Sequence, residues 1–310
     1  MRVQSSSHVF TIRPARFGAN VQTQASNAFQ VRGARIDQQA AQRAALAEFE
    51  ALCSALRAAG VVVHVFDDTP EPHTPDSIFP NNWVSTHEDG AVALYPMLAE
   101  NRRLERREDI LQALSAQCGF RVARVIDLTP HEQSAKFLEG TGSLVLDRVH
   151  RIAYACLSPR TDLDVLGDFA QQLNYEVVAF EAHDRNGAAI YHTNVLMAVG
   201  SRFAAICAEA VREDERAAVL DALRATGHDI VELTFEQMHN FAGNMLELAT
   251  TSGGRVVGMS SRARVCLKEA QRELIEDRAG PIIASSIPTI ETLAGGSVRC
   301  MLAEIFLPAK

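Results

Sequence analysis

The chain has 310 residues, 47% hydrophobic and 22% charged, with a formal net charge of −8. That length and balance allow a sizeable buried core and are ordinary for a soluble globular protein. The acidic excess argues against nucleic acid or an anionic membrane as the main partner, and no run approaches the ~20 apolar residues of a membrane span. The opening residues, Met1-Arg-Val-Gln-Ser-Ser-Ser-His8, lack the apolar stretch of a secretion signal. The six cysteines, Cys53, Cys118, Cys156, Cys207, Cys266 and Cys300, form no CxxC pair and show no metal-ligand spacing. The expectation is a reducing, cytoplasmic setting without a disulfide framework or a metal.

Residues 7–13 alternate and predict a first strand. Residues 36–59 have helical apolar spacing, and Gly60 follows as a C′ glycine should. Residues 61–66 form a buried strand. Residues 83–86 go out, turn at Asp89-Gly90, and return over 91–95. A charged helix over 101–117 and a strand over 120–126 follow. The same order recurs. Residues 138–147 go out, 151–156 return, 162–173 form a helix and 175–180 a strand. Next, 191–198 go out, turn at Gly200-Ser201, and 203–207 return, with a helix over 213–226 and a strand over 229–233. Then 243–249 turn at Gly253-Gly254, 256–259 return, a helix covers 268–278 and a strand 282–285. Residues 298–307 are the last outgoing strand.

Strand–turn–strand–helix–strand thus repeats with a period of roughly fifty residues. The last outgoing strand lacks a successor, so its hairpin partner has to be the N-terminal strand. That pairing closes the array into a ring and removes exposed sheet edges. No Pro/Gly/Ser-rich linker divides the chain, so residues 1–310 are expected to be one domain. The many hairpins fit an all-parallel doubly wound sheet poorly.

The outgoing strands begin near Asn82, Glu139, His192, Asn244 and Cys300, and ring closure brings these starts together on the axis. Alone, Cys300 reads as a buried thiol, because free cysteine is among the most buried residue types. Beside an imidazole and a carboxylate it reads as a nucleophile. A thiolate is the reactive form, and a base must take its proton. His192 can do so, and Glu139 can fix the imidazole's orientation. No GxGxxG follows a strand and no Walker motif is present, so no cofactor is implied.

These residues resemble the guanidino-group modifying enzymes: arginine deiminases, dimethylarginine hydrolases and amidinotransferases. The similarity covers nearly the whole chain. Its anchors are Pro75-Asp76-Ser-Ile-Phe79, Leu138-Glu139-Gly140, His192, Asn244 and Cys300. The resemblance implies an α/β five-bladed ββαβ propeller of the pentein type, with pseudo-fivefold symmetry and the site on the axis. It implies Cys300 as nucleophile, His192 as general acid/base and Glu139 as its partner. Arg102 and Arg160 sit where dimethylarginine hydrolases hold the substrate's α-carboxylate.

The sequence departs from that family in its charges. Asn81-Asn82 stand where dimethylarginine hydrolases continue into Glu-Asp, and Asn194 stands where arginine deiminases carry Asp. A buried cation without a counter-charge costs several kcal/mol, whereas an amide offers a donor and an acceptor to a neutral urea-like group. The expected substrate is therefore L-citrulline, as in the citrulline-utilisation hydrolase branch, which Phe79-Pro-Asn-Asn-Trp-Val84 and Asn101-Arg-Arg-Leu-Glu-Arg-Arg107 resemble. Asp76 would orient the ureido N–H groups. Asn82 and Asn194 would hold the oxyanion, with Asn244 also at the substrate. The alternatives are a deiminase or amidinotransferase acting on a guanidino group, and a non-catalytic ligand-binding propeller. The expected partner is a small amino acid, and a homodimer is compatible with the composition.

Overall fold

The computed structural model describes residues 2–24, 26–31 and 37–310. The chain forms five three-stranded sheets. Each begins with a short strand antiparallel to the second, which is in turn parallel to the third. Val84–Thr86, Ala91–Leu94 and Arg124–Asp127 make one sheet. Val145–Asp147, Ile152–Leu157 and Glu176–Glu181 make the next. Met197–Val199, Phe203–Ile206 and Asp229–Glu232 follow. Then come Leu246–Ala249, Arg255–Ser260 and Ile282–Ser285. A parallel pair needs a crossover, and helices Gln38–Ala58, Glu108–Ala116, Leu163–Leu173, Glu213–Ala225 and Glu269–Ala279 provide it.

The fifth sheet joins the two ends of the chain. Ala303–Glu304 pairs antiparallel with His8–Arg13, Val9 opposite Glu304, and His8–Arg13 runs parallel to Val62–Asp67. The ring closes as the repeat predicts, giving the pentein-type propeller. The short first strands are buried almost throughout, whereas Arg124–Asp127 and Asp229–Glu232 are largely exposed. The first strands are therefore the inner wall and the third strands the rim. Neighbouring inner strands touch: Val145–Asp147 meets Met197–Val199, and Ala303–Glu304 meets Val84–Thr86.

Local chemistry explains the elements. Asp37 caps Gln38–Ala58 by accepting from the Ala40 amide, and Ala41, Ala45, Phe49, Leu52 and Leu56 place one stripe in the core. Gly60 ends it at φ +89°, donating to Arg57 O at 3.0 Å while Val61 donates to Leu56 O. The predicted start at Ile36 lies outside the described residues.

Two expectations need correction. Residues 101–117 are not one helix but two, Glu100–Arg103 and Glu108–Ala116. Between them Glu105 takes two hydrogen bonds from Arg102. The long outgoing strands are also much shorter than predicted. Residues 298–307 hold a 3-10 turn, Val298–Met301, and a two-residue strand. Residues 138–147 and 191–198 likewise open with helical turns, Gly140–Ser143 and Thr193–Leu196. A short apolar run cannot be told from a helical turn by periodicity alone. Three helices, Phe235–His239, Ser261–Cys266 and Pro288–Ala294, have no counterpart in the sequence reading.

Candidate active site

The turns ahead of the inner strands build the site. In each, a backbone bond closes three residues: Asn82 to Phe79, Gly142 to Glu139, Val195 to His192, Asn244 to Phe241 and Cys300 to Ser297. Cys300 therefore sits on a turn before the strand, not at a strand start. The turns are tied to one another. Ser143 Oγ accepts from the Glu139 amide and donates to Arg160 O. Thr193 Oγ1 accepts from the Cys156 amide and donates to Ser143 O. A Cβ on Gly142 would meet Asn82 Nδ2 and come within 2.7 Å of His192 Nδ1, so only glycine lets these two side chains approach.

His192 Nε2 lies 2.8 Å from Glu139 Oε2. That oxygen also accepts from Arg160 Nη1 at 3.2 Å, and Arg102 Nη1 stands 3.9 Å away. Oε1 accepts from the Leu98 amide at 3.1 Å. Burial opposes the charge on Glu139, but Arg160, the His192 bond and Arg102 together outweigh it and hold the carboxyl well below its usual range. Burial pulls His192 down to about 4, against the raising effect of Glu139. The pair at neutral pH is an ionised carboxylate beside a neutral imidazole. Its Nε2 is committed to Glu139, which leaves Nδ1 for proton transfer.

The thiol sits between two amides. Asn244 Nδ2 is 3.2 Å and Asn194 Nδ2 3.5 Å from Cys300 Sγ. Their orientation is fixed by further bonds: Asn244 Oδ1 accepts from the Arg299 amide and Asn194 Nδ2 donates to Thr141 O. Both asparagines thus face the sulfur, where they can stabilise negative charge. Asn244, expected at the substrate, thus contacts Cys300 Sγ directly.

Asp76, Asn82, Arg102, Arg160, His192 and Cys300 line one cleft. The two arginines are already engaged. Arg102 donates to both carboxylate oxygens of Glu105 at 2.9 Å and to Asn82 Oδ1 at 2.9 Å, with Asp76 Oδ2 at 3.8 Å. Arg160 donates to Glu139 and to Ser26 Oγ, and its guanidinium lies 4.8 Å from the Tyr191 ring centre. Asp76 Oδ2 accepts from Asn20 at 2.8 Å. Burial raises the Asp76 pKa, with Arg102 and Asn20 opposing it. Among the described residues, the buried polar atoms left without a partner in and beside the cleft are Asp76 Oδ1, both amide atoms of Asn81, Asn82 Nδ2 and Asn194 Oδ1.

The sequence reading missed Thr23, Asn27 and Tyr191, which also line the cleft, and Glu105. The loop residues carry no periodicity, so only their polarity could have signalled them. Asn27 Nδ2 donates to Ala294 O, and a Cβ on Gly295, at φ +67°, would meet that amide at 2.7 Å. The adjacent Gly296 leaves room for the Phe79 ring. Among the described residues, no group of three or more histidine, cysteine or acidic side chains is arranged for a metal ion, and no helix is long and apolar enough to cross a membrane.

Solved structures share this architecture. ArgZ, an arginine dihydrolase from the ornithine–ammonia cycle in cyanobacteria, superposes with a TM-score of 0.75 at 18% identity, over 98% of this chain and 41% of ArgZ. The chain thus spans about two fifths of that protein. The N-terminal domain of ArgZ, as a cysteine-to-serine mutant bound to substrate, gives 0.72 at 19% identity, over 97% and 99% of the two chains. A dimethylarginine dimethylaminohydrolase adduct with S-methyl-L-thiocitrulline gives 0.63 at 16%, over 96% and 99%. These likenesses define the fold class, a pentein-type five-bladed α/β propeller. No curated protein matches the chain. The model of the eukaryotic N,N-dimethylarginine dimethylhydrolase family matches residues 13–307, and the chain belongs to that family. It thereby falls within the guanidino-modifying pentein superfamily.

Proposed function

We propose that the protein hydrolyses the ureido group of L-citrulline to L-ornithine, ammonia and carbon dioxide. One observation carries the reading: Glu139 and Asp76 each stand beside an arginine, while amide atoms of Asn82 and Asn194 are left free. Glu139 holds His192 and Arg160, and Asp76 stands 3.8 Å from Arg102. A guanidinium entering here would meet two arginine cations, and the carboxyl nearest to receiving it, Asp76, has its charge opposed by burial. A urea-like group instead finds a free donor in Asn82 Nδ2 and a free acceptor in Asn194 Oδ1.

In this mechanism neutral His192 takes the Cys300 proton at Nδ1, and the thiolate attacks the ureido carbon. Asn194 and Asn244, aimed at Sγ, stabilise the charge on sulfur and then on the former carbonyl oxygen. His192 returns the proton to the δ-nitrogen, which leaves as ornithine, and the carbamoyl group remains on Cys300. His192 next takes a proton from water, whose oxygen attacks the carbamoyl carbon. The C–S bond breaks, and the released carbamic acid splits into ammonia and carbon dioxide. Glu139 keeps the imidazole oriented in both halves.

Asp76 Oδ1, a buried acceptor without a partner, favours a second reading, in which a guanidino compound such as arginine is the substrate. ArgZ, named for an arginine substrate and an ornithine–ammonia cycle, fits either reading. Purified protein given citrulline, arginine and dimethylarginine in parallel, and scored for ornithine and ammonia, separates them. Ornithine from citrulline is expected. Citrulline made from arginine, with citrulline itself untouched, would overturn the proposal.

A further inference from the structure

Behind the thiol lies a second cavity on the propeller axis, with a volume of about 30 Å³. Its wall includes Thr141, Arg148, Arg299, Glu304, Glu247 and Gln4. Thr141 O also holds the Asn194 amide, so a single layer of side chains separates this chamber from Cys300.

Its two arginines are short of hydrogen-bond partners. Arg148 Nη2 and Arg299 Nη2 approach the same oxygen, Glu304 Oε2, at 3.8 and 3.6 Å. Neither distance is a hydrogen bond. Among the described residues each guanidinium makes one hydrogen bond, from Nη1: Arg148 to Thr86 O and Arg299 to Leu302 O, both at 3.2 Å. The remaining N–H groups of two buried forks have no acceptor. Glu247, the wall's second carboxylate, is hydrogen-bonded elsewhere and accepts from neither fork. Its oxygens accept from Ser5 Oγ, Ser201 Oγ and the Ser201 amide, and Arg255 stands 3.9 Å away. Two guanidinium forks thus line the chamber with N–H groups that no carboxylate there accepts, although Arg148 also stacks on the Phe306 ring at 3.8 Å.

We propose that this chamber binds a small monovalent anion between Arg148 and Arg299. A monovalent anion gives both forks an acceptor at the smallest added charge. Arginine forks suit a planar oxyanion such as bicarbonate and also accept a halide. The anion communicates with the nucleophile, because Arg299 immediately precedes Cys300 and its amide is held by Asn244, whose other atom touches Sγ. A bound anion removes positive charge from behind the sulfur and disfavours thiolate. It is therefore an inhibitor, and where the citrulline reading holds, bicarbonate from released carbon dioxide becomes feedback on the reaction. The site itself does not depend on that reading.

Three measurements test this. Crystals soaked in sodium bromide should show anomalous density between Arg148 and Arg299. Sodium chloride or sodium bicarbonate should raise the melting temperature saturably, relative to sodium gluconate at equal ionic strength. The same salts should slow iodoacetamide labelling of Cys300, followed by mass spectrometry, by about fivefold. Whichever salt saturates at lower concentration identifies the source of the anion. Arg148→Gln should abolish the salt-specific effects, and the bromide map decides if that variant fails to fold. No bromide between the arginines, gluconate matching chloride and bicarbonate, or an Arg148→Gln protein that keeps the full response would each overturn the site.

Discussion

Glu139 holds His192 by a 2.8 Å bond at Nε2 while both side chains are almost completely buried. The carboxylate keeps its charge and the imidazole does not. His192 is pulled down to about 4, mainly by burial, against about 6.5 for an unfolded histidine.

The first prediction concerns pH. The folded state refuses a proton that the unfolded chain accepts between about 6.5 and 4. This contribution to stability is complete above 6.5 and is lost as pH falls through that window. Relative to His192→Gln, the wild-type protein should lose about 3 kcal/mol between pH 7 and pH 4, read from urea unfolding. The acid limb of kcat/KM should fall near pH 4. A limb near 6.5 would show that His192 does not titrate as placed.

A second prediction addresses the covalent step. Cys300→Ala should abolish ornithine release, and Glu139→Gln should lower kcat by about 10²- to 10⁴-fold while leaving the fold intact. Rapid acid quench of wild-type enzyme turning over citrulline should leave a carbamoyl mass on the Cys300 peptide. Absence of that mass under conditions of slow deacylation argues against the S-carbamoyl route.

The amides at the sulfur set the third. Asn244→Ala should cut kcat by about 10²-fold, the usual cost of one donor on developing charge, and should slow alkylation of Cys300. Asn194→Asp should do something different. It puts a carboxylate beside the thiol, so citrulline turnover should drop by about tenfold or more, while arginine should bind more tightly in an inhibition assay. Unchanged arginine affinity would detach the asparagine from substrate charge selection.

Arg102 and Glu105 supply the fourth. Burial opposes the Arg102 charge, but Glu105, Asp76 and Glu139 more than restore it. Glu105→Leu strands that cation and should cost about 3–5 kcal/mol in chemical denaturation. Glu105→Gln keeps one acceptor and should cost less, with KM rising more than kcat falls because the Arg102 fork loses its alignment. Equal losses in both variants would mean that Glu105 acts through packing alone.

The ring was legible in the sequence because hairpin turns and helix ends repeat in a fixed order. Asp89-Gly90 and Gly60 behave as their residue types dictate, and the pairing of residues 8–13 with 303–304 follows from counting strands. Cys300, His192 and Glu139 were legible as a set for the same reason. The turns that carry them were not, since Gly140-Thr-Gly-Ser143 and Val298-Arg-Cys-Met301 lie inside runs that also fit a strand. The cleft's loop side was invisible too. Thr23, Asn27 and Ser26 reach it through contacts with residues more than fifty positions away, and no local pattern encodes such contacts. Glu105 read as one charge among several on a helix, and only its partner Arg102 makes it part of the site.

Asn82, Glu139, His192, Asn244 and Cys300 each come from a different blade. The site is therefore a logical conjunction: it exists only while five separate pieces of chain all hold their places. Local loosening of any one of them breaks the constellation before the molecule as a whole melts. Turnover is consequently a stricter gauge of the protein's integrity than any spectroscopic signal averaged over its helices and strands.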